Sequence, residues 1–152
     1  IFDAKAQRCK VTQRKGMTWA NDPVPENALS RTIIGAAIEV HKELGRPGLL
    51  EGMYEEALCA ELKLRGISAD RQIEVPVFYK RRRLNKNYRL DLLVENLVIV
   101  EVKSTEQHNA VLESQCLTHL RLTQKQLGLV INFGQRFLKD GIHRVVNGLK
   151  ES

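Results

Sequence analysis

Two carboxylates fall where strand-forming sequence leaves no ordinary place for them. Asp91 interrupts YRLDLLVE at 88–95 and Glu101 interrupts LVIVEVKS at 97–104, runs otherwise rich in Leu, Val and Ile. Burying an ionised carboxylate is costly unless a cation or hydrogen-bond donors compensate. Residues two apart on a strand share a face, so Lys103 projects beside Glu101. Hard oxygen ligands of this kind suit Mg²⁺ or Mn²⁺, which polarise a phosphodiester and acidify a water. A neighbouring lysine neutralises charge that develops on the phosphorus centre. The plainer reading of the same residues is a buried carboxylate–lysine ion pair. Whether Asp91 joins the other two depends on the turn between the strands. Pairing Asp91 with Glu101 centres the hairpin on Asn96 and leaves a loop over 95–97, where Asn tolerates the left-handed backbone required. A Glu95–Asn96 turn would instead pair Asp91 with Val100 and send Glu101 to the opposite face.

Other polar residues sit on apolar stripes of helices. Glu51 shares a stripe with Tyr54, Leu58 and Leu62, although a carboxylate in a first helical turn is ordinarily a surface group favoured by the helix dipole. Gln115 and His119 share one with Leu112 and Leu122, where a satisfied core amide and a core histidine are the plain alternatives. A basic cluster, Lys80, Arg81, Arg82, Arg83 and Lys86, is either a solvated loop or a contact for phosphates.

The elements that must position these groups follow from periodicity. Helices are expected over 28–44, 50–65 and 108–123, with breaks at Gly45, Pro47, Gly48 and Gly66. Strands are expected over 71–79, where Pro76 implies an edge or a bulge, over the hairpin 88–94 and 97–103, and over 127–133. Residues 138–149 complete the chain as one more short strand or helix. That order describes an α/β (α+β) fold, a mixed central β-sheet flanked by helices. The 152 residues suit one domain over 28–150, preceded by an arm, 1–27, that is either disordered or vector-derived. The net charge of +6 weighs little for nucleic-acid binding, because Lys5, Arg8, Lys10, Arg14 and Lys15 against Asp3 place +5 − 1 = +4 of it in the first 16 residues.

No apolar run approaches a membrane span, and the first residues lack the apolar core of a signal peptide. Cys9, Cys59 and Cys116 have no CxxC spacing, which argues against a disulfide framework, a zinc knuckle or an iron–sulfur cluster. A reducing, cytoplasmic setting is expected, with Cys59 and Cys116 as buried inert thiols.

Gly48, Glu51 and Tyr54 in GLLEGMYEEAL at 48–58 form the pattern that names the GxxExxY protein family. YRLDLLVE, IVEVKS, LESQCLTHLRLT at 112–123 and LGLVINFG at 127–134 follow in the family's order, so the chain resembles that family over about residues 28–146. Two departures are Leu112 in place of a frequent histidine and His119 in place of a tyrosine. The family is placed in the PD-(D/E)XK superfamily, so the resemblance implies a restriction-endonuclease-like sheet and a Mg²⁺- or Mn²⁺-dependent phosphodiesterase acting on DNA or RNA. It implies metal ligands Glu51, Asp91, Glu101 and Val102, with Lys103 and Gln115 completing the catalytic set. Tyr54, His119 and the basic cluster from Lys80 to Lys86 would contact nucleic acid. Two further readings stand beside it: a non-catalytic nucleic-acid-binding module that kept the fold, and a structural or partner-binding homodimer.

Overall fold

The computed structural model describes residues 7–9, 18–45 and 49–150; Gly48 of the GxxExxY pattern lies outside them. Helix α1 (Pro25–Leu44) starts earlier than its apolar periodicity indicates, because Pro25 occupies the first turn, where a missing N–H costs nothing. It buries Leu29, Ile33, Ala36, Ala37 and Val40 and ends at Gly45, whose φ of 69° suits glycine. Helix α2 (Glu51–Leu64) buries Tyr54, Glu55, Leu58, Cys59 and Leu62.

The strands are β1 (Gln7–Cys9), β2 (Ala69–Val75), β3 (Phe78–Tyr79), β4 (Arg82–Arg83), β5 (Tyr88–Val94), β6 (Val98–Lys103), β7 (Leu127–Asn132) and β8 (Ile142–Val146). Helix α3 (Val111–Thr123) connects β6 to β7. A mixed sheet has the order β1-β2-β5-β6-β7-β8, antiparallel except for the parallel β6–β7 pair, while β3 and β4 form a separate small hairpin. The expected strand over 71–79 is thus divided at Pro76, which has no N–H to continue a ladder. Of the expected arm over 1–27, residues 7–9 pair with Arg71, Asp70 and Ala69, and Pro25 opens α1. Residues 1–6 and 10–17, including Met17, lie outside the described chain.

Helices α1 and α2 cover one face of the sheet over a cluster that includes Leu92, Val94, Val98, Val100 and Val102. Helix α3 covers the other face, where Leu120 packs with Ile73, Val75, Leu90, Leu93 and Ile99. Strand β7, LGLVIN, is buried at every position, as expected of a central strand with both faces covered. At Gly128 an added Cβ would lie 2.5 Å from Cys116 Sγ, so α3 approaches β7 more closely than any other residue would permit. Cys116 is buried and free, as expected. Cys59 is buried but disulfide-bonded, which corrects its reading as an inert thiol and weakens the expectation of a reducing compartment. Among the described residues no helix is long and apolar enough to cross a membrane.

The close contact between α3 and β7 is testable. Gly128→Ala should destabilise the protein by about 1–3 kcal/mol through overpacking. Adding Cys116→Ala, which removes the sulfur, should recover part of that loss in a urea-unfolding double-mutant cycle. Purely additive effects would show that the two positions do not meet.

Candidate metal site and cleft

The hairpin register decides which side chains meet. Leu92 pairs with Val100, Leu93 with Ile99 and Val94 with Val98, so the turn is the loop over 95–97, with Glu95 and Asn96 at φ of 50° and 57°. Extending that register puts Asp91 opposite Glu101. Instead of continuing the ladder, Asp91 Oδ2 accepts the Val102 N–H at 2.8 Å. The reason lies in β5 and β2 together. Leu92 packs on the α1–α2 face and Leu90 on the α3 face, although residues two apart in a regular strand share a side. Ala69 and Ile73 divide in the same way on β2, where Gln72 has a φ of 51°. Both strands turn over at one level, and Asp91 stands at the turning point.

Asp91, Glu101 and Lys103 line a cleft of about 260 Å³ together with Tyr88, Arg89, Leu112, Gln115 and His119. Glu101 is only 7% exposed. His119 Nδ1 lies 2.6 Å from Glu101 Oε1, so the imidazole donates to the carboxylate and holds it, while Tyr88 meets the same ring edge-on. Burial, and then the neighbouring charge of Glu101, push the Asp91 carboxyl up to about 7; its bond from Val102 and the Lys103 charge pull the other way. Glu55, 3% exposed on α2, adds a further upward push from the opposite side of the sheet. It is itself held by Gln72 Nε2 at 2.8 Å and Arg71 Nε at 3.3 Å.

These groups fit a hard divalent cation. Two carboxylates share one poorly solvated cleft, and their mutual repulsion is what a cation between them would remove. Val102 adds a backbone oxygen, since the N–H and C=O of a strand residue lie along one edge and its N–H already points to Asp91.

Not every expected residue joins the cleft. Glu51 is exposed at the start of α2 and does not line it, although Ser104 Oγ donates to Leu49 O and so ties that helix end to the end of β6. Tyr54 is fully buried, stacked on Phe133 at 4.6 Å, and its hydroxyl donates to Gly45 O. That corrects its expected contact with nucleic acid: a ring sealed in the core touches no ligand, and its role is packing. Lys80, Arg81, Arg82, Arg83 and Lys86 are all exposed on and beside the β3–β4 hairpin. That hairpin leaves the sheet where Val75 pairs with Tyr88, a cleft residue, and presents Phe78 and Tyr79 at 55% and 61% exposure.

Glu55, Tyr88, Arg89 and the two exposed aromatics did not figure among the expected groups. Glu55 had a readable sign, since it shares the helix stripe of Leu58, Cys59 and Leu62. The approach of Tyr88 and Arg89 to α3 depends on the strand reversal and leaves no trace in local sequence.

The raised Asp91 carboxyl has a definite consequence for the metal-free protein. A folded-state value near 7, above the ordinary carboxylate value, means that the folded state binds the extra proton between about pH 4 and 7, so this group's contribution to stability falls as pH rises through that window. Asp91→Asn keeps an acceptor for Val102 and removes the charge. It should therefore gain roughly 2–4 kcal/mol over wild type at pH 8 and little at pH 4. Urea titrations in chelator at both pH values check this, and equal differences at both would refute it.

A family model described as the PD-(D/E)XK nuclease superfamily matches residues 27–145. No curated protein matches the chain. No solved structure does so either.

Proposed function

The chain belongs to the PD-(D/E)XK nuclease superfamily, and from that premise we propose that it is a Mg²⁺- or Mn²⁺-dependent nuclease that hydrolyses phosphodiester bonds of DNA or RNA. The observation that carries this reading is the meeting of Asp91, Glu101, Lys103 and Gln115 around one cleft. Asp91, Glu101 and the Val102 carbonyl would hold the cation. The chemistry such a cation supplies is polarisation of the phosphodiester and acidification of a water.

The remaining work falls to the chain's own side chains. Lys103, on the strand that carries Glu101, offers a fixed positive charge to the oxygens of the phosphorus centre as negative charge builds there. Gln115, exposed at the cleft wall, offers an amide that orients substrate or the Lys103 ammonium. His119 acts as a positioning residue through its bond to Glu101, and it also lines the cleft in which it is expected to contact nucleic acid. Glu51 stands outside this set, and Glu55 contributes negative charge from beneath Asp91.

The basic hairpin supports a nucleic-acid substrate. Lys80, Arg81, Arg82, Arg83 and Lys86 project from the end of the sheet that carries Tyr88 and Arg89, so a phosphate backbone lying across the hairpin would be led to the cleft.

Two experiments test this reading. Cleavage of single- and double-stranded DNA and RNA should require Mg²⁺ or Mn²⁺, and Glu101→Gln or Lys103→Ala should each lower kcat by at least about 100-fold with the fold intact. Binding without cleavage on every substrate would leave a module that keeps the fold without the chemistry. Arg82→Ala with Arg83→Ala should weaken substrate binding and reduce the slope of log affinity against log salt by about 1–2, with kcat at saturation nearly unchanged. An unchanged slope would remove the hairpin from the interface.

A further inference from the structure

A second group of ligating side chains lies on the far side of α3 from the cleft. His108 comes from the loop that follows Lys103, Glu113 from the first turn of α3, and His143 from β8. Each offers one ligand atom, and these atoms lie within 4.8 Å of one another. His143 pairs in register with Val130, and Val130 with Glu101, so the group stands two strands from Glu101, about 10 Å away. It is a separate site on the same face of the sheet.

We propose that His108, Glu113 and His143 bind a transition-metal cation of the Zn²⁺ class, which fastens the loop after Lys103 and the start of α3 to β8. Hydrogen bonding alone does not account for the arrangement. His108 Nε2 lies 2.7 Å from Glu113 Oε1, an ion-pair contact, and His143 Nδ1 stands 3.6 Å from the same oxygen, too far for a hydrogen bond. His143 Nε2 is buried without a partner. The His143 side chain is only 26% exposed, so an imidazole largely withdrawn from solvent has one nitrogen buried without a partner and the other 3.6 Å from Glu113 Oε1. The two imidazoles also stack, with ring centroids 3.9 Å apart. A cation among the three groups would supply a partner for the His143 nitrogen that binds it.

The ligand chemistry separates the two sites. Two imidazoles and one carboxylate favour Zn²⁺, Co²⁺ or Ni²⁺ over Mg²⁺, whereas the all-oxygen set of the cleft favours the harder ions. Three protein ligands leave a position open to solvent or to a further donor. The three ligands come from a loop, a helix and a strand, so binding would join three separate elements. Among them is the helix that carries Gln115 and His119 to the cleft.

The test uses the full chain with Asp91→Asn, which disables the cleft as a metal site and leaves His108, Glu113 and His143 untouched. Titration with Co²⁺ followed by visible absorption should show one ion per chain, displaced by Zn²⁺ and indifferent to excess Mg²⁺. His108→Ala, an exposed position whose folding is checked by circular dichroism, should weaken Co²⁺ binding by at least about 100-fold, more than loss of an outer partner would cause. His143→Gln should do the same, and His119→Ala in the same background should not. Either of two results overturns the proposal: no Co²⁺ bound by the folded protein, or an affinity unaltered by His108→Ala.

Discussion

Two carboxylates that repel each other must share a cleft from which most water is withdrawn, and much of the architecture serves to keep them there. Asp91 and Glu101 belong to adjacent strands, so their separation is set by a sheet rather than by flexible chain. Each is held by one directed bond, Asp91 from the Val102 backbone and Glu101 from His119. A lysine two residues from Glu101 offsets part of the repulsion, yet Asp91 remains pushed up to about 7. Such a site is unfavourable in the metal-free protein, and a cation placed between the carboxylates would relieve it. Storing that cost at one place requires rigid surroundings, which the buried strands β6 and β7 provide.

The reversal of β2 and β5 is the structural device behind this arrangement. A regular β5 would project Leu90 to the same side as Leu92. Instead the reversal at Asp91 sends Leu90 to the α3 face, and Gln72, in the facing strand, takes the left-handed φ that permits it. Gln72 then turns its amide to Glu55, so the residue that allows the distortion also ties down the third carboxylate. Asp91 consequently lies between two negative groups, one on each side of the sheet. Burial and the charge of Glu101, with a smaller push from Glu55, explain why a single lysine is insufficient to bring the Asp91 carboxyl back to an ordinary value.

What was legible in the sequence divides along the range of the interactions. The loop over 95–97 was one of two turns that the sequence left open; the tolerance of Asn96 for positive φ suits it, and the strand register selects it, with Asp91 opposite Glu101. The central strand at 127–132 was legible because burial on both faces leaves an uninterrupted apolar run. Helix stripes were less decisive. Glu51 and Glu55 both align with buried leucines of α2, and only packing against β2 distinguishes the exposed first turn from the buried second. Tyr54 lay on the apolar stripe of α2, and only the family resemblance implied a nucleic-acid contact; its bond to Gly45 satisfies the hydroxyl and lets the ring enter the core. The division at Pro76 was signalled, whereas the small β3–β4 hairpin beyond it was obscured by the density of arginine.

The two faces of the sheet are covered unequally, and that inequality places the chemistry. Helices α1 and α2 seal one side with a large cluster in which even Tyr54 and Phe133 are fully buried. The other side has α3 alone, packed against β6, β7 and β8, and its approach to β7 is as close as Gly128 allows. A helix drawn to that edge still reaches β5 through Leu120 and His119, and Tyr88, Arg89 and Asp91 line the cleft beside it. The same displacement brings Glu113 to His143 on the opposite flank. Helix α3 thus stands between the cleft on one side and the histidines on the other. The basic hairpin stands at the uncovered end, where an extended anionic chain meets the least obstruction.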